Sequence, residues 1–262
     1  MKRFAAVWLV LWALIALTAP YWIFESAMRM DVAHALEAPS VRHFFGTDVL
    51  GRDLFFRLLA GSTASLGVGV AAVALAVFIG TWLGAIAGYF GGVREKIVLA
   101  MIDLFLCFPV FFLILAVMAM AGPSLWNIVW ILGLTGWMGV ARLVRAEVLT
   151  LREREFVLAA RALGANHKWI LRKHLIPNAL GPVRVSAVLG ISSAILTEAG
   201  LSFLGIGIQP PVPSWGNLLM DGKAVLGYGW WMMLFPGMVI FLTVYSLNVL
   251  GEAFSHARRT AS

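Results

Sequence analysis

Two carboxylates, Glu198 and Asp103, stand within long apolar stretches of the sequence. If these stretches cross a membrane, an ionised side chain there is costly unless it is paired or hydrated. Glu198 therefore has two candidate roles. It could contact a substrate amine or a metal in a transport pathway, or it could hydrogen-bond a neighbouring helix, charged or protonated. Asp103 lies near a predicted cytoplasmic helix end, where it could reach water or a basic group, and is the weaker pathway candidate.

The sequence lacks recognisable catalytic and metal-binding motifs. No GxxxxGK[ST] loop is present, and the nearest dipeptide, Gly222-Lys223, is followed by Ala224. Neither HExxH nor a pair of cysteines occurs, since Cys107 is the single cysteine. Two histidines of an outer loop could conceivably bind nickel, but they are better explained as solvated side chains. We therefore expect no enzymatic activity and no cofactor or metal bound by this chain.

Composition indicates a membrane protein. Of the 262 residues, 61% are hydrophobic and 13% are charged, compared with roughly 25% charged residues in soluble domains. No Asp, Glu, Lys or Arg occurs within residues 4–24, 58–93, 104–141 or 224–251. Because about 20 apolar residues suffice to span a bilayer as a helix, these stretches predict an all-α, polytopic membrane protein rather than a soluble enzyme.

The sequence predicts six membrane-spanning helices within a single transmembrane domain, 1–262. Gly122-Pro123 divides the longest neutral stretch into two spans. The first span could instead be a signal peptide, but its apolar run continues into aromatic residues typical of a membrane interface. The predicted spans are 4–24, 66–90, 97–121, 124–141, 185–208 and 228–251.

Lysine and arginine are distributed asymmetrically between the predicted loops. With both termini inside, 15 of the 20 Lys and Arg residues lie on the inner side. Cytoplasmic segments of membrane proteins are enriched in these residues. We therefore predict a multi-pass membrane protein, in contact with lipid, with both termini in the cytoplasm. The net charge of +7 reflects this topology and not nucleic-acid binding.

The second predicted span has a small residue at every fourth position. One helix face is therefore nearly flat, which permits close approach of another backbone. The partner could be another helix of this chain or a second membrane subunit. The residues of this face are Ala72, Ala76, Gly80, Gly84 and Gly88.

A long outer loop, 25–61, contains turn-forming and oppositely charged residues. Asp48, Arg52 and Asp53 could form a self-capped surface turn or contact a partner protein at the outer face. Trp215, which follows three prolines in another outer segment, could belong to the same contact.

The inner loop, 142–184, has the pattern of a helix, a break and a second helix. Gly164 is suited to end the first helix, Asn166 to cap the second, and Pro177 to limit its far end. The first helix could lie on lipid or dock into a protein cleft, and its small residues favour docking because they bury little apolar area. Its apolar stripe comprises Phe156, Ala159, Ala160 and Leu163.

The sequence EFVLAARALGANHKWILRKHLIPN, from Glu155 to Asn178, resembles the EAA loop of binding-protein-dependent ABC importer permeases. Leu158 and His174 depart from the general pattern, in which Glu and Ile are frequent there. The matching residues are Ala159, Ala160, Gly164, Ile176 and Pro177.

Three further segments resemble the dipeptide, oligopeptide and nickel permeases, specifically the second of their two membrane subunits. The resemblance extends from about residue 44 to 256, and the three segments occur in the same order as in that family. The segments are FGTDVLGRD (45–53), ILTEAGLSFLGIGIQPPVPSWGNLL (195–219) and FPGMVIFLTVYSLNVLG (235–251).

The resemblance implies a type I ABC importer permease of the bacterial cytoplasmic (inner) membrane, the membrane half of an ATP-driven importer of di- or oligopeptides. It also implies a homologous second permease, two cytoplasmic ATPase subunits that bind ATP, and an extracytoplasmic binding protein. Nickel or another small solute is the alternative substrate, and a stand-alone secondary transporter is the alternative class. The implied ATPase-coupling residues are Glu155, Phe156, Ala159, Ala160, Arg161, Leu163, Gly164, Ile176 and Pro177.

Overall fold

The computed structural model describes residues 1–259, which form eleven α-helices. A 3-10 turn, Val32–His34, lies in the outer loop, and a π-helical turn, Leu171–Leu175, joins α8 to α9. The α-helices are α1 Lys2–Trp22, α2 Phe24–Met28, α3 Leu54–Phe90, α4 Gly92–Leu106, α5 Val110–Ala121, α6 Leu125–Leu151, α7 Glu155–Ala162, α8 His167–Ile170, α9 Ile176–Phe203, α10 Trp215–Lys223 and α11 Trp231–Arg259.

The described residues contain five helical segments long and apolar enough to cross a membrane, and six spans if the bent pair α4–α5 counts as one. Several helices differ from the predicted span boundaries. α3 begins at Leu54, so its first turns occupy the end of the predicted outer loop. α6 continues to Leu151, within the predicted inner loop. α9 ends at Phe203, before the predicted boundary at residue 208.

The predicted span over 97–121 is not one straight helix. α4 and α5 are separated by a short break and meet at an angle of 79°. Pro109 lies at this break, directly before α5. Proline has no backbone N–H to donate and disfavours a helical conformation at the residue before it. The next break was predicted correctly, since α5 ends at Ala121 and Gly122 has a positive φ of 81°.

The prediction that Pro177 limits the far end of a helix was wrong. The helical segment His167–Phe203 passes through this position. Pro177 lies in the first turn of α9, directly after the π-helical turn. A missing N–H is tolerated at the start of a helix, and π-helical turns accommodate irregular hydrogen bonding.

The small-residue face of α3 packs against α6 at three glycines. A Cβ added to Gly80 would lie 2.6 Å from the Cβ of Val140, and one added to Gly88 would lie 2.8 Å from the carbonyl oxygen of Arg145. Gly84 faces Ala141 in the same way. These glycines therefore support packing within the chain, one of the two alternatives considered for this face.

Candidate functional site

The candidate coupling segment comprises α7 and the two residues that follow it, Leu163 and Gly164. Val157 is fully buried and Ala160 is 9% exposed. Both belong to an apolar cluster that includes Tyr89 near the end of α3 and Val148 of α6. One side of α7 therefore packs against the helices of this chain, and the opposite side is exposed.

The exposed side of the coupling segment carries large apolar side chains. Leu163 is 88% exposed and Phe156 is 42% exposed. Ala159 is exposed on the same side, whereas Ala160 is buried. The predicted stripe is therefore divided: Phe156, Ala159 and Leu163 are available to a partner, but the assignment of Ala160 to that docking surface was wrong. Helical periodicity grouped the two adjacent alanines, but they point in different directions.

Local backbone chemistry positions this segment as the sequence predicts. Gly164 has a φ of +79° after the end of α7, a conformation that glycine adopts without strain. The Asn166 side chain caps α8 by accepting a hydrogen bond from the backbone N–H of Trp169 at 2.7 Å. Glu155 lies in the first turn of α7, where the helix dipole favours a negative charge.

Two predicted coupling residues lie farther along, where α9 begins. Ile176 is partly buried and Pro177 is exposed. The guanidinium of Arg161 lies 4.9 Å from the ring centre of Tyr89, which links α7 to α3. The predicted coupling residues are thus divided between the exposed surface of α7, its contacts with α3 and the start of α9.

In the outer loop, Asp48 is the centre of a buried ionic network. Its carboxylate accepts hydrogen bonds from Arg52 Nε at 2.6 Å and from Arg57 Nη1 at 2.6 Å. The backbone N–H groups of Leu50 and Arg52 donate to the other oxygen. Arg57 also donates to Asp221 of α10 at 3.0 Å. Asp48 is 0% exposed, so it has no surface for the predicted outer contact in this conformation.

The other predicted outer-face residues also have partners within the chain. Asp53 caps α3 by accepting from Phe55 N at 2.9 Å, and it pairs with Nδ1 of His43 at 2.8 Å. Trp215 is fully buried, and its Nε1 donates to the carbonyl of Leu58 at 3.1 Å. The predicted contact is therefore wrong for Trp215, as it is for Asp48, because both side chains are buried within this chain.

Glu198 is fully buried and has two hydroxyl donors. Ser65 of α3 donates to Oε2 at 3.0 Å, and Ser202 of α9 donates to Oε1 at 2.8 Å. Ser65 Oγ also accepts the backbone N–H of Trp215 at 3.0 Å. Of the two predicted roles of Glu198, this conformation shows the hydrogen bond to a neighbouring helix.

Asp103 forms an exposed ion pair with Arg142 at 3.0 Å, where α4 approaches α6. The two side chains are 70% and 49% exposed, respectively, so solvent screens most of their attraction. The expectation that Asp103 reaches a basic group agrees with this geometry.

A cavity of about 320 Å³ lies between α3, α5, α6 and α9. None of the described residues that line it is charged, and neither Glu198 nor Asp103 is among them. Its polar side chains are the hydroxyls of serine and threonine residues. The lining includes Ala76, Thr135, Gly139, Ser186, Ser193 and Thr197.

Sequence reasoning missed four residues that complete these networks. Arg57 was recognisable as a charge at the edge of a long neutral stretch, and its position predicts a need for a partner. No sequence signal distinguishes Ser65 from other serines, because its partner Glu198 is 133 positions away. The missed residues are Arg57, Asp221, Ser65 and Ser202.

Comparison with known proteins agrees with the predicted permease fold. Residues 80–260 match the family described as binding-protein-dependent transport system inner membrane component. The dipeptide transport system permease protein DppC of Alkalihalophilus pseudofirmus is 41% identical over 93% of this chain and 80% of its own length. The oligopeptide transport system permease protein OppC of Bacillus subtilis is 37% identical over 95% of this chain and 82% of its own length.

A solved inward-facing structure of the MetNI methionine ABC transporter is similar in fold. The TM-score is 0.60 at 20% sequence identity, covering 78% of this chain and 97% of the matched chain. This likeness confirms the all-α, type I ABC importer permease architecture. The matches also identify a multi-pass, non-catalytic membrane subunit. The chain therefore belongs to the binding-protein-dependent transport system inner membrane component family.

Proposed function

We propose that this chain is the permease subunit of an ATP-driven importer that moves di- or oligopeptides across the cytoplasmic membrane. The observation that carries the proposal is the 41% identity to a dipeptide permease protein over 93% of the chain. An oligopeptide permease protein matches over a similar extent. The nickel alternative has no corresponding support, since no group of three or more His, Cys, Asp or Glu residues in the described part of the chain is arranged to hold a metal ion.

The exposed side of α7 docks into a cleft of a cytoplasmic ATPase subunit. Leu163 and Phe156 supply apolar area for the contact. Ala159 lies between them, and its small side chain lets the surface of the ATPase approach the helix closely. ATP binds to the partner subunits, and this chain binds no cofactor. Movement of the ATPases passes through α7 to α3 and α6, because Val157 and Ala160 pack against those helices.

The working assembly contains this chain, a second homologous permease, two ATPase subunits and an extracytoplasmic binding protein. Both termini lie in the cytoplasm, which places the basic segment containing α7 on the side of the ATPases. The outer loop and α10 then face the binding protein. No nucleic acid takes part.

The cavity between α3, α5, α6 and α9 forms one wall of the transport pathway. Its hydroxyl and small apolar side chains suit a peptide whose side chains vary. A fixed charge in the wall would favour some peptides and repel others, since like charges in a low-dielectric site are strongly unfavourable. Glu198 and Asp103 therefore act outside this wall.

Co-purification followed by transport measurement tests this function. The tagged chain is isolated from membranes in a mild detergent, the associated proteins are identified, and the complex is reconstituted with its binding protein in vesicles. We expect a second permease, ATPases and ATP-dependent uptake of labelled di- or oligopeptides. Uptake of nickel but not peptides would refute the substrate assignment. Recovery of the chain alone, with transport driven by an ion gradient, would indicate a secondary transporter.

Adjacent alanines of α7 provide a matched test of coupling. Ala159→Asp places a charge on the exposed docking surface, so we expect normal abundance in the membrane with loss of peptide uptake. Ala160→Asp places the same charge in the apolar cluster beside α3, so we expect loss of the folded protein. Normal uptake by Ala159→Asp at normal abundance would refute the docking surface.

A further inference from the structure

One helix connects the candidate coupling segment with the outer side of the protein. α3 runs without a break through 37 residues, a length of about 55 Å at 1.5 Å per residue. The α4–α5 pair, in contrast, bends by 79°. A continuous helix resists bending, so a displacement at one end of α3 reaches the other end.

At the outer end, α3 holds residues 204–223, which we call the outer cap. The start of α10 is attached through Ser65, whose hydroxyl accepts from Trp215 N and donates to Glu198. The end of α10 is attached through Arg57, which donates to Asp221 at 3.0 Å. The first and last parts of α10 are therefore both tied to the same segment of α3.

Glu198 and Ser202 extend this attachment to the beginning of the outer cap. Ser202 donates to Glu198 and accepts the backbone N–H of Ile208 at 3.0 Å. Ser65, Glu198 and Ser202 thus form one buried chain of hydrogen bonds from α3 through α9 to the outer cap. Buried polar groups of this kind resist displacement because each would lose a partner.

At its cytoplasmic end, α3 is bonded to the elements around the coupling segment. The hydroxyl of Tyr89 lies 2.8 Å from Nδ1 of His167, at the start of α8. Arg152, directly after α6, donates to the carbonyl of Gly88 at 3.0 Å. These bonds, with the guanidinium of Arg161 over the Tyr89 ring, attach α3 on both sides of α7.

We propose that α3 transmits the movement of the coupling segment to the outer cap, with Ser65 and Glu198 as positioning residues that keep the cap on this helix. The proposal rests on the proposed importer function. It assigns Glu198 a role in opening and closing the outer side without contact with substrate. The outer cap then moves with α3 in each ATP cycle.

A pair of serines on α3 separates this role from general stability. Ser65→Ala removes the bond to the outer cap. Ser62→Ala is the matched control, because within the described part of the chain the buried Ser62 hydroxyl bonds only to Leu59 of its own helix. Both variants are reconstituted in the full complex. We expect Ser65→Ala to lower the peptide transported per ATP hydrolysed about tenfold, because the Trp215 N–H and the Glu198 carboxylate both lose this hydroxyl. We expect Ser62→Ala to change the ratio less than twofold.

Movement of the outer cap is measured directly by thiol labelling. Cys107, the single native cysteine, is replaced by serine, and a cysteine is introduced at Val212, which is 39% exposed in the outer cap. We expect ATP to change the labelling rate in the wild-type background and in Ser62→Ala. In Ser65→Ala we expect a markedly smaller change, because the cap keeps only its bonds through Arg57 and the Trp215 indole among those described above. The proposal would be overturned if ATP did not change the labelling rate in the wild-type background. It would also be overturned if ATP changed the rate equally in the wild-type background, Ser62→Ala and Ser65→Ala.

A break in α3 provides a second test. Gly67 lies between the two attachment regions, and an added Cβ there would meet nothing within 4 Å. Gly67→Pro removes a helix hydrogen bond and bends the helix, whereas Gly67→Ala is the control. We expect the proline variant to hydrolyse ATP without moving the cap. An unchanged cap response in Gly67→Pro would overturn the proposal. Since labelling needs no substrate, failure of peptide uptake in the wild type would refute only the proposed function.

Discussion

Replacing Asp48 by alanine should be the most damaging single change in the outer ionic network. Asp48 is fully buried and holds two buried guanidinium groups, those of Arg52 and Arg57. Its loss leaves Asp221 as their remaining partner, at 3.9 Å from Arg52 and 3.0 Å from Arg57. Breaking a buried ion pair by removing one partner costs about 3–5 kcal/mol, and we expect about 4 kcal/mol for Asp48→Ala.

The same geometry predicts a smaller effect for Arg57→Leu. Asp48 then keeps Arg52 and two backbone N–H donors, while Asp221 is 21% exposed and can be hydrated. Arg57→Leu removes two charge-assisted hydrogen bonds, to Asp48 and to Asp221, and water replaces the second. We therefore expect a loss of about 2 kcal/mol. The control is Asp103→Asn, which removes an ion pair of the same 3.0 Å length from the protein surface and should cost less than about 1 kcal/mol.

Thermal unfolding of the purified chain in a mild detergent measures this order. With about 2–4 °C of Tm per kcal/mol for a chain of this size, we expect Tm to fall by about 8–16 °C for Asp48→Ala and by about 4–8 °C for Arg57→Leu. The double variant Asp48→Ala/Arg57→Leu should lose less stability than the sum of the two single losses. In it, no Arg57 guanidinium is left buried without Asp48 as its partner. Additive losses, or an Asp48→Ala shift no larger than that of Asp103→Asn, would refute the assignment of these residues to one network.

Three further changes test individual contacts. Gly84→Val should separate α3 from α6 and cost about 1–3 kcal/mol, whereas Gly67→Val on the same helix should be tolerated because that site is open; equal abundance of the two would contradict the predicted packing. Asp53→Ala should lower the free energy of unfolding by about 1 kcal/mol through loss of the α3 cap, with Asp53→Asn retaining most of it in the same unfolding assay. Tyr89→Phe should reduce the peptide transported per ATP hydrolysed by removing the hydroxyl bonded to His167, and unchanged coupling in vesicles would show that this bond is dispensable.

The sequence by itself determined features that depend on neighbouring residues. Apolar stretches of span length identified the membrane class, because a helix must satisfy its backbone hydrogen bonds internally in lipid. Gly122-Pro123 separated α5 from α6, and Gly164 and Asn166 marked the end of α7 and the start of α8. Each of these signals acts over a few residues, so no knowledge of the packed structure was needed.

Only the tertiary structure decided which side chains meet. The sequence around Asp48 and Trp215 predicts a polar surface turn and an exposed aromatic, but both side chains are buried. Trp215 bonds to α3, about 150 positions away in the sequence. Glu198 accepts a hydrogen bond from Ser65, which is 133 positions away in the sequence. In α7, Ala159 is exposed and the adjacent Ala160 is buried. These outcomes depend on how α3, α6 and α9 pack, since burial and hydrogen bonding between distant segments exist only after the helices have assembled.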